Sequence, residues 1–372
     1  MADPGVIRVL VIDDSALSRQ ALVTMLESDP GIRVVGRAVD GDDGLRQTLM
    51  LEPDVITLDL EMPRLGGFAF LRLLMLRRPT PVVVVSSHSG RENVFRALEL
   101  GAVDFVAKPH GVAPAEGPGL KEDLIRKIRA CSQLRAGVLT QRRRSIGMQE
   151  ELGEDVLLLE KTLMPQRGEP VPSAQPLPLR VCAIGASTGG PPALQQILAA
   201  LDPKLPLAVL IAQHMPATFT AAFAERLDAH SRFEVREAKG GEVLRPGLAL
   251  VAPGWAHLCV ECQGDAYVTR LERPQSDDRL VPSVDRLLET AASAVKEDLV
   301  AVVLTGMGGD GAVGVRAVHE QGGRVLAEAP ETAVIFGMPQ EAIATGVVDE
   351  VVPLYRMARA ITRFARETQR GS

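Results

Sequence analysis

The chain predicts an α/β protein built as two successive units, each a mainly parallel sheet covered by helices. Short apolar runs rich in valine and isoleucine alternate with longer segments of helical period. The alternation stops near residue 134 and resumes near residue 180, and polar motifs stand directly after several of the runs. Strands joined by crossover helices read this way. At about 150 residues per domain, a length of 372 residues fits two or three units.

In the first half the apolar runs lie at 9–12, 34–39, 55–58, 81–85 and 103–107, with helical patterns such as 17–26 and 68–76 between them. They make one complete domain, residues 1–134. From 135 to 178 the pattern changes to Gln141-Arg142-Arg143-Arg144, an acidic amphipathic piece at 150–163, and prolines at 165, 170, 172, 176 and 178. Spaced prolines remove donors and favour extended backbone, so this stretch is read as a linker. Its arginine run is read as a solvated tether and residues 156–163 as a docking candidate.

Residues 179–372 form the second unit. Runs at 181–184, 207–212 and 299–304 lack the alternating polarity of half-exposed strands and read as buried parallel ones. The stretch 248–271, with 257–260 and 267–269 separated by Gln263-Gly264-Asp265, reads as an antiparallel hairpin extending the sheet edge.

Composition narrows the function classes. With 46% hydrophobic and 24% charged residues the chain can bury real cores. A net charge of -6 and only 3% aromatic residues supply neither a basic face nor a stacking platform, so no nucleic-acid partner is expected. Four cysteines at uneven spacing make no secreted disulfide framework, and Cys259 and Cys262 lack the further ligands a zinc site needs; they read as packing residues. No apolar run approaches the roughly 20 residues of a membrane helix, and Asp13 and Asp14 arrive too early for a signal peptide. The expected protein is cytoplasmic and not membrane-embedded.

Side chains just past the ends of parallel strands converge on one crevice. In the first half these are Asp13 and Asp14 after the first strand, Asp59 after the third and Lys108-Pro109 after the fifth. Three clustered carboxylates repel one another, and a hard divalent cation such as Mg²⁺ resolves the repulsion while also binding phosphoryl oxygens. The set suits phosphoryl transfer to the Asp59 carboxylate, with the Ser86 hydroxyl placed to sense the added charge. Alone, Asp13 or Asp14 reads equally well as a helix cap.

Asp13-Asp14, Asp59, Ser86, Phe105 and Lys108-Pro109, in that order, resemble the receiver domain of two-component response regulators over its whole length. The resemblance implies a flavodoxin-like five-stranded fold, phosphorylation at Asp59, metal binding by Asp13, Asp14 and Asp59, and a switch involving Ser86, Phe105 and Lys108. Gly66 stands where that family usually carries an aspartate, which removes a helix cap.

In the second half Gly185-Ala186-Ser187-Thr188-Gly189 matches G-x-S-x-G between a strand and a helix, a turn that thrusts a serine hydroxyl outward. Pro191 and Pro192 suit the first turn of the following helix. The same glycine-rich turn also cradles phosphates in other proteins. Serine needs a base and the base an orienting group. His214 follows the strand at 207–212 and Asp310 follows the strand at 299–304, whereas His230, His257 and His319 lie on helical or hairpin positions. The order Ser187, His214, Asp310 departs from that of α/β-hydrolases. A core role for His214, and a second unit that binds rather than reacts, are the competing readings.

Together with Gln213-His214-Met215-Pro216, Ala252-Pro253-Gly254, His257-Leu258, Pro282-Ser283-Val284-Asp285, Thr305 through Gly311, and Gly337-Met338-Pro339, these residues look like the methylesterase domain of the CheB family of chemotaxis response regulators. That resemblance implies hydrolysis of glutamate methyl esters and deamidation of glutamines on chemoreceptors, with a CheA-type histidine kinase as phosphodonor and no cofactor in the catalytic unit. It implies Ser187 as nucleophile, His214 as base and Asp310 as its orienter, with Thr188 and Met307 lining the site, Met307 through its backbone N–H. Val281 stands where many relatives have arginine, which bears on target preference. The domain order further predicts a phosphorylation-gated enzyme whose receiver limits access to the crevice.

Overall fold

The computed structural model describes residues 5–86, 91–108, 119–134 and 179–367. The chain divides into two compact units, Met1–Leu163 and Met164–Ser372. The linker expected at 135–178, with its arginine run, amphipathic piece and prolines, lies outside the described residues, as does Pro109.

The first unit carries β1 (Ile7–Ile12), α1 (Ala16–Glu27), β2 (Ile32–Ala38), α2 (Gly41–Leu51), β3 (Val55–Leu58), α3 (Gly67–Arg77), β4 (Val82–Ser86), α4 (Arg91–Glu99), β5 (Asp104–Ala107) and α5 (Leu120–Ser132). The strands pair in the order β2-β1-β3-β4-β5, all parallel, which is the flavodoxin-like order with its switch point between β1 and β3. Asp13 and Asp59 sit just past those two strands. Ser15 and Asp40 cap α1 and α2 with their side chains, whereas α3 starts at Gly66 with no side-chain cap, as the missing aspartate predicts. Gly67 is needed at the next position: a Cβ there would lie 2.6 Å from the Asp59 carbonyl oxygen and 2.7 Å from the Leu60 Cα. The start of α3 therefore presses directly on the strand end that presents Asp59.

The second unit holds β6 (Arg180–Ala186), α6 (Gly190–Ala200), β7 (Leu207–Gln213), α7 (Ala217–Ala229), β8 (Glu234–Glu237), β9 (Leu248–Val251), β10 (His257–Gln263), β11 (Ala266–Glu272), α8 (Val284–Val295), β12 (Leu299–Val303), α9 (Ala312–Glu320), β13 (Arg324–Glu328), α10 (Gly337–Ala344), β14 (Glu350–Val352) and α11 (Leu354–Arg366). Seven strands form one parallel sheet in the order β14-β13-β12-β6-β7-β9-β8. Every residue of β6, β7 and β12 is buried, as continuous apolar runs in the middle of a helix-covered sheet should be.

The hairpin corrects one expectation. β10 and β11 are antiparallel, but they form a separate two-stranded sheet, not an extension of the large one. Residues 248–251, expected within the hairpin stretch, instead form β9 between β7 and β8. Polarity explains the division: Leu248–Val251 is apolar and wholly buried, while β10 runs out to the half-exposed Glu261 and the exposed Cys262 and Gln263. On that strand Cys259 and Cys262, three residues apart, point to opposite faces, one buried and one exposed. They cannot ligate one ion together.

Candidate active site

β6 has β7 on one side and β12 on the other, so residues just past these three strands adjoin. Ser187 follows β6. Its backbone N–H donates to the Thr305 carbonyl at 3.0 Å, and its own carbonyl accepts from Gly190 N at 2.8 Å and Gln213 Nε2 at 2.9 Å. Gly189 closes the turn at a φ of +81°, and α6 begins with prolines in its first turn, as expected. A Cβ at Gly190 would lie 2.0 Å from Gln213 Oε1, so only glycine lets the helix start this close to β7.

Ala186 pairs with Gln213, and the His214 N–H donates to the Ala186 carbonyl at 3.0 Å, which sets His214 beside Ser187. His214 Nε2 lies 2.8 Å from Asp310 Oδ2, with side-chain exposures of 5% and 6%. Nδ1 is buried and has no hydrogen-bond partner among the described residues, so Ser187 is not bonded to it. A resting enzyme often holds such a pair apart until substrate arrives. With Nε2–H given to the carboxylate, Nδ1 keeps the lone pair and is the basic atom of the ring.

Asp310 is held at the N-terminus of α8. Its Oδ2 also accepts from Val284 N at 2.8 Å, and its Oδ1 accepts from Asp285 N at 2.8 Å and Ser283 Oγ at 3.1 Å. Burial opposes ionisation, but the hydrogen bond from His214 and these amides hold the carboxyl below its usual range. Asp285 in turn accepts from the N–H groups of Gly311, Val313 and Gly314 at 2.7 to 3.0 Å. Burial, with the neighbouring Asp310 charge adding to it, pushes its carboxyl up to about 6 against the pull of those amides.

Thr188 is buried, and its carbonyl accepts the Thr305 hydroxyl at 2.8 Å. Gly306 accepts from Gly337 N and Met338 N at 3.0 and 2.7 Å, and a Cβ added to it would lie 2.8 Å from the Ser187 Cβ. The backbone leading into Met307 thus stands directly against the serine. Sequence pattern alone gives Ser283, Asp285, Gln213 and Gly306 no role. Ser283 ahead of an apolar helix carries the one readable signal, that of an N-cap, and it does accept from Arg286 N.

In the first unit the carboxylates of Asp13, Asp14 and Asp59 lie within 4.8 Å of one another. Lys108 Nζ stands 2.9 Å from Asp13 Oδ2 and 2.5 Å from Asp59 Oδ2. Burial raises the Asp59 carboxyl above its ordinary value even against Lys108, whereas the two carboxylates raise Lys108 in spite of its burial. One lysine beside three acids leaves room for further positive charge, and an all-oxygen donor set fits a hard divalent cation. Ser86 and Phe105 are buried on neighbouring strands. The Ser86 carbonyl accepts the Lys108 N–H at 2.8 Å, and Lys127 Nζ donates to the Phe105 carbonyl at 2.5 Å.

Fold and site together define a response regulator whose output unit carries a serine, an imidazole and a carboxylate at adjoining strand ends. The family model for the response regulator receiver domain matches residues 9–114, and that for CheB methylesterase matches residues 182–361. A protein-glutamate methylesterase/protein-glutamine glutaminase of Geobacter sulfurreducens is 50% identical over 95% of this chain and 96% of its own length. One from Myxococcus xanthus is 48% identical over 98% and 99%. The crystal structure of the Thermotoga maritima CheB methylesterase catalytic domain is 39% identical, covering 50% of this chain and 97% of its own, with a TM-score of 0.48. This chain belongs to the CheB methylesterase family. No helix among the described residues is long and apolar enough to cross a membrane.

Proposed function

We propose that this chain hydrolyses glutamate methyl esters, and deamidates glutamines, on methyl-accepting chemoreceptors, under the control of phosphorylation at Asp59. The observation that carries it is the buried 2.8 Å hydrogen bond between His214 and Asp310, beside a serine on the intervening strand. The names of relatives about half identical in sequence support the substrate class.

Ser187 Oγ attacks the ester carbonyl as His214 Nδ1 takes its proton, and Asp310 stabilises the imidazolium through Nε2–H. The Met307 N–H meets the developing oxyanion, with Thr188 lining the site. The C–O bond to the methoxy group then breaks, and methanol leaves with the proton from His214. Water, deprotonated by the same ring, attacks the acyl-enzyme and releases the glutamate carboxylate while Ser187 regains its proton. With a glutamine substrate, ammonia is the leaving group.

In the receiver, Asp13, Asp14 and Asp59 would hold Mg²⁺, which when bound supplies the charge neutralisation phosphoryl transfer needs. Asp59 accepts the phosphoryl group from a CheA-type histidine kinase, Lys108 pairs with its oxygens, and Ser86 and Phe105 carry the switch. We assign residues 1–134 to the receiver, 135–178 to the linker and 179–372 to a catalytic unit working through its own side chains, in a cytoplasmic protein. Mass spectrometry of methylated receptor segments incubated with the phosphorylated protein tests the proposal. Loss of the methyl group is the expected result, and an unchanged mass under phosphorylating conditions overturns it.

A further inference from the structure

We infer that His257 is a positioning residue for this reaction, reaching the His214–Asp310 pair through Ser283. The inference rests on the assignment of Ser187, His214 and Asp310 above. His257 opens β10 and is 2% exposed. Its Nδ1 accepts the Ser283 N–H at 3.0 Å, and its Nε2 lies 3.0 Å from Asp278 Oδ2. The Ser283 hydroxyl donates to Asp310 Oδ1 at 3.1 Å and accepts from Arg286 N at 3.2 Å. Asp278, His257, Ser283, Asp310 and His214 therefore form one continuous chain of hydrogen bonds.

This second histidine–aspartate pair differs from the first in what its Nδ1 does. Nδ1 of His214 has no partner among the described residues, whereas Nδ1 of His257 is occupied by a backbone N–H. A ring whose basic nitrogen is taken by a backbone N–H has no lone pair to offer a serine hydroxyl and acts as a bracket. Only an imidazole accepts at the δ position while donating at the ε position of one side chain. Asp278 fixes that tautomer, and the Gln275 amide together with His257 holds its carboxyl below the usual range. Further along β10, the Val260 N–H donates to Thr290 Oγ1 at 3.2 Å, seating the strand along α8. His257 thus sets the N-cap residue of the helix whose N-terminus holds Asp310.

Two substitutions separate the halves of the ring. His257→Asn places an amide oxygen where Nδ1 stands and keeps the Ser283 bond, while His257→Gln keeps only a donor toward Asp278. In the full-length protein, His257→Ala and His257→Gln are expected to lower kcat about tenfold, the rate equivalent of one neutral hydrogen bond, with KM unchanged. His257→Asn should restore most of the loss. The downfield proton resonance of His214 Nε2–H should shift in the Ala and Gln variants and return in Asn, independently of any substrate. Equal effects of Asn and Gln on kcat and on that resonance, or no effect of either, overturn the inference. An inactive wild-type protein that retains the resonance pattern would instead count against the proposed activity.

Discussion

Asp285 and Asp310 each cap the helix that begins beside the other. The Asp310 carboxylate takes the N–H groups of Val284 and Asp285 at the start of α8, and the Asp285 carboxylate takes those of Gly311, Val313 and Gly314 at the start of α9. Two acids bound into each other's helix termini split in their ionisation: burial and the Asp310 charge raise Asp285, while His214 and the amides lower Asp310 against its burial. The shared arrangement locks the carboxylate that faces His214.

That split gives a pH signature. Between the unfolded value of 3.8 and about 6, the unfolded chain ionises Asp285 while the folded one keeps its proton. Asp285 therefore contributes stability at low pH that is lost as pH rises through this window. Asp310, lowered, has the opposite sign and loses its contribution as pH falls. Thermal melts of wild type and Asp285→Asn should show wild type declining relative to the variant from about pH 4 to about pH 6. A constant difference across that range contradicts the assignment.

Asp310→Asn exchanges an acceptor for a donor against His214 Nε2 and favours the wrong tautomer. A fall in kcat of about 10⁴-fold with little change in KM is expected, measured as methanol release. A loss confined to KM would mean that Asp310 binds substrate instead.

Gly306→Ala probes the wall beside the serine. The new Cβ would lie 2.2 Å from Met338 Sδ and 2.8 Å from Ser187 Cβ, overpacking worth about 1–3 kcal/mol. The methionine can swing aside, but the serine cannot without leaving its turn. The variant should stay folded by circular dichroism yet lose most of its kcat.

Asp59→Asn should abolish Mg²⁺-dependent uptake of a phosphoryl group from a small acyl phosphate, followed by intact-protein mass spectrometry. Its esterase rate should then be the same with and without the donor. Stimulation that persists in the variant would place control elsewhere.

Much of this was legible beforehand because it lies at strand ends. The run 55–58 coincides with β3 in full, since Asp54 and Asp59 bound a four-residue β-rich stretch. The pairing of His214 with Asp310 followed from the rule that residues past parallel strands converge. β9 departs from the expected hairpin because the apolar run 248–251 is followed within a few residues by a second strand, and spacing alone does not say which sheet a strand joins. Ser283, Asp285 and His257 carried no visible role for a related reason. Their contacts come from a helix N-terminus and a hairpin packed along α8, and such packing leaves no periodicity in the chain.

The central claim is that Ser187 is made nucleophilic by His214 and Asp310, and the rate at which a fluorophosphonate labels Ser187 tests it most directly. Labelling of the wild-type protein, mapped by peptide mass spectrometry to Ser187 and slowed by orders of magnitude in His214→Ala and Asp310→Asn, is the predicted result. Labelling that is absent, or equally fast without the imidazole, would contradict it.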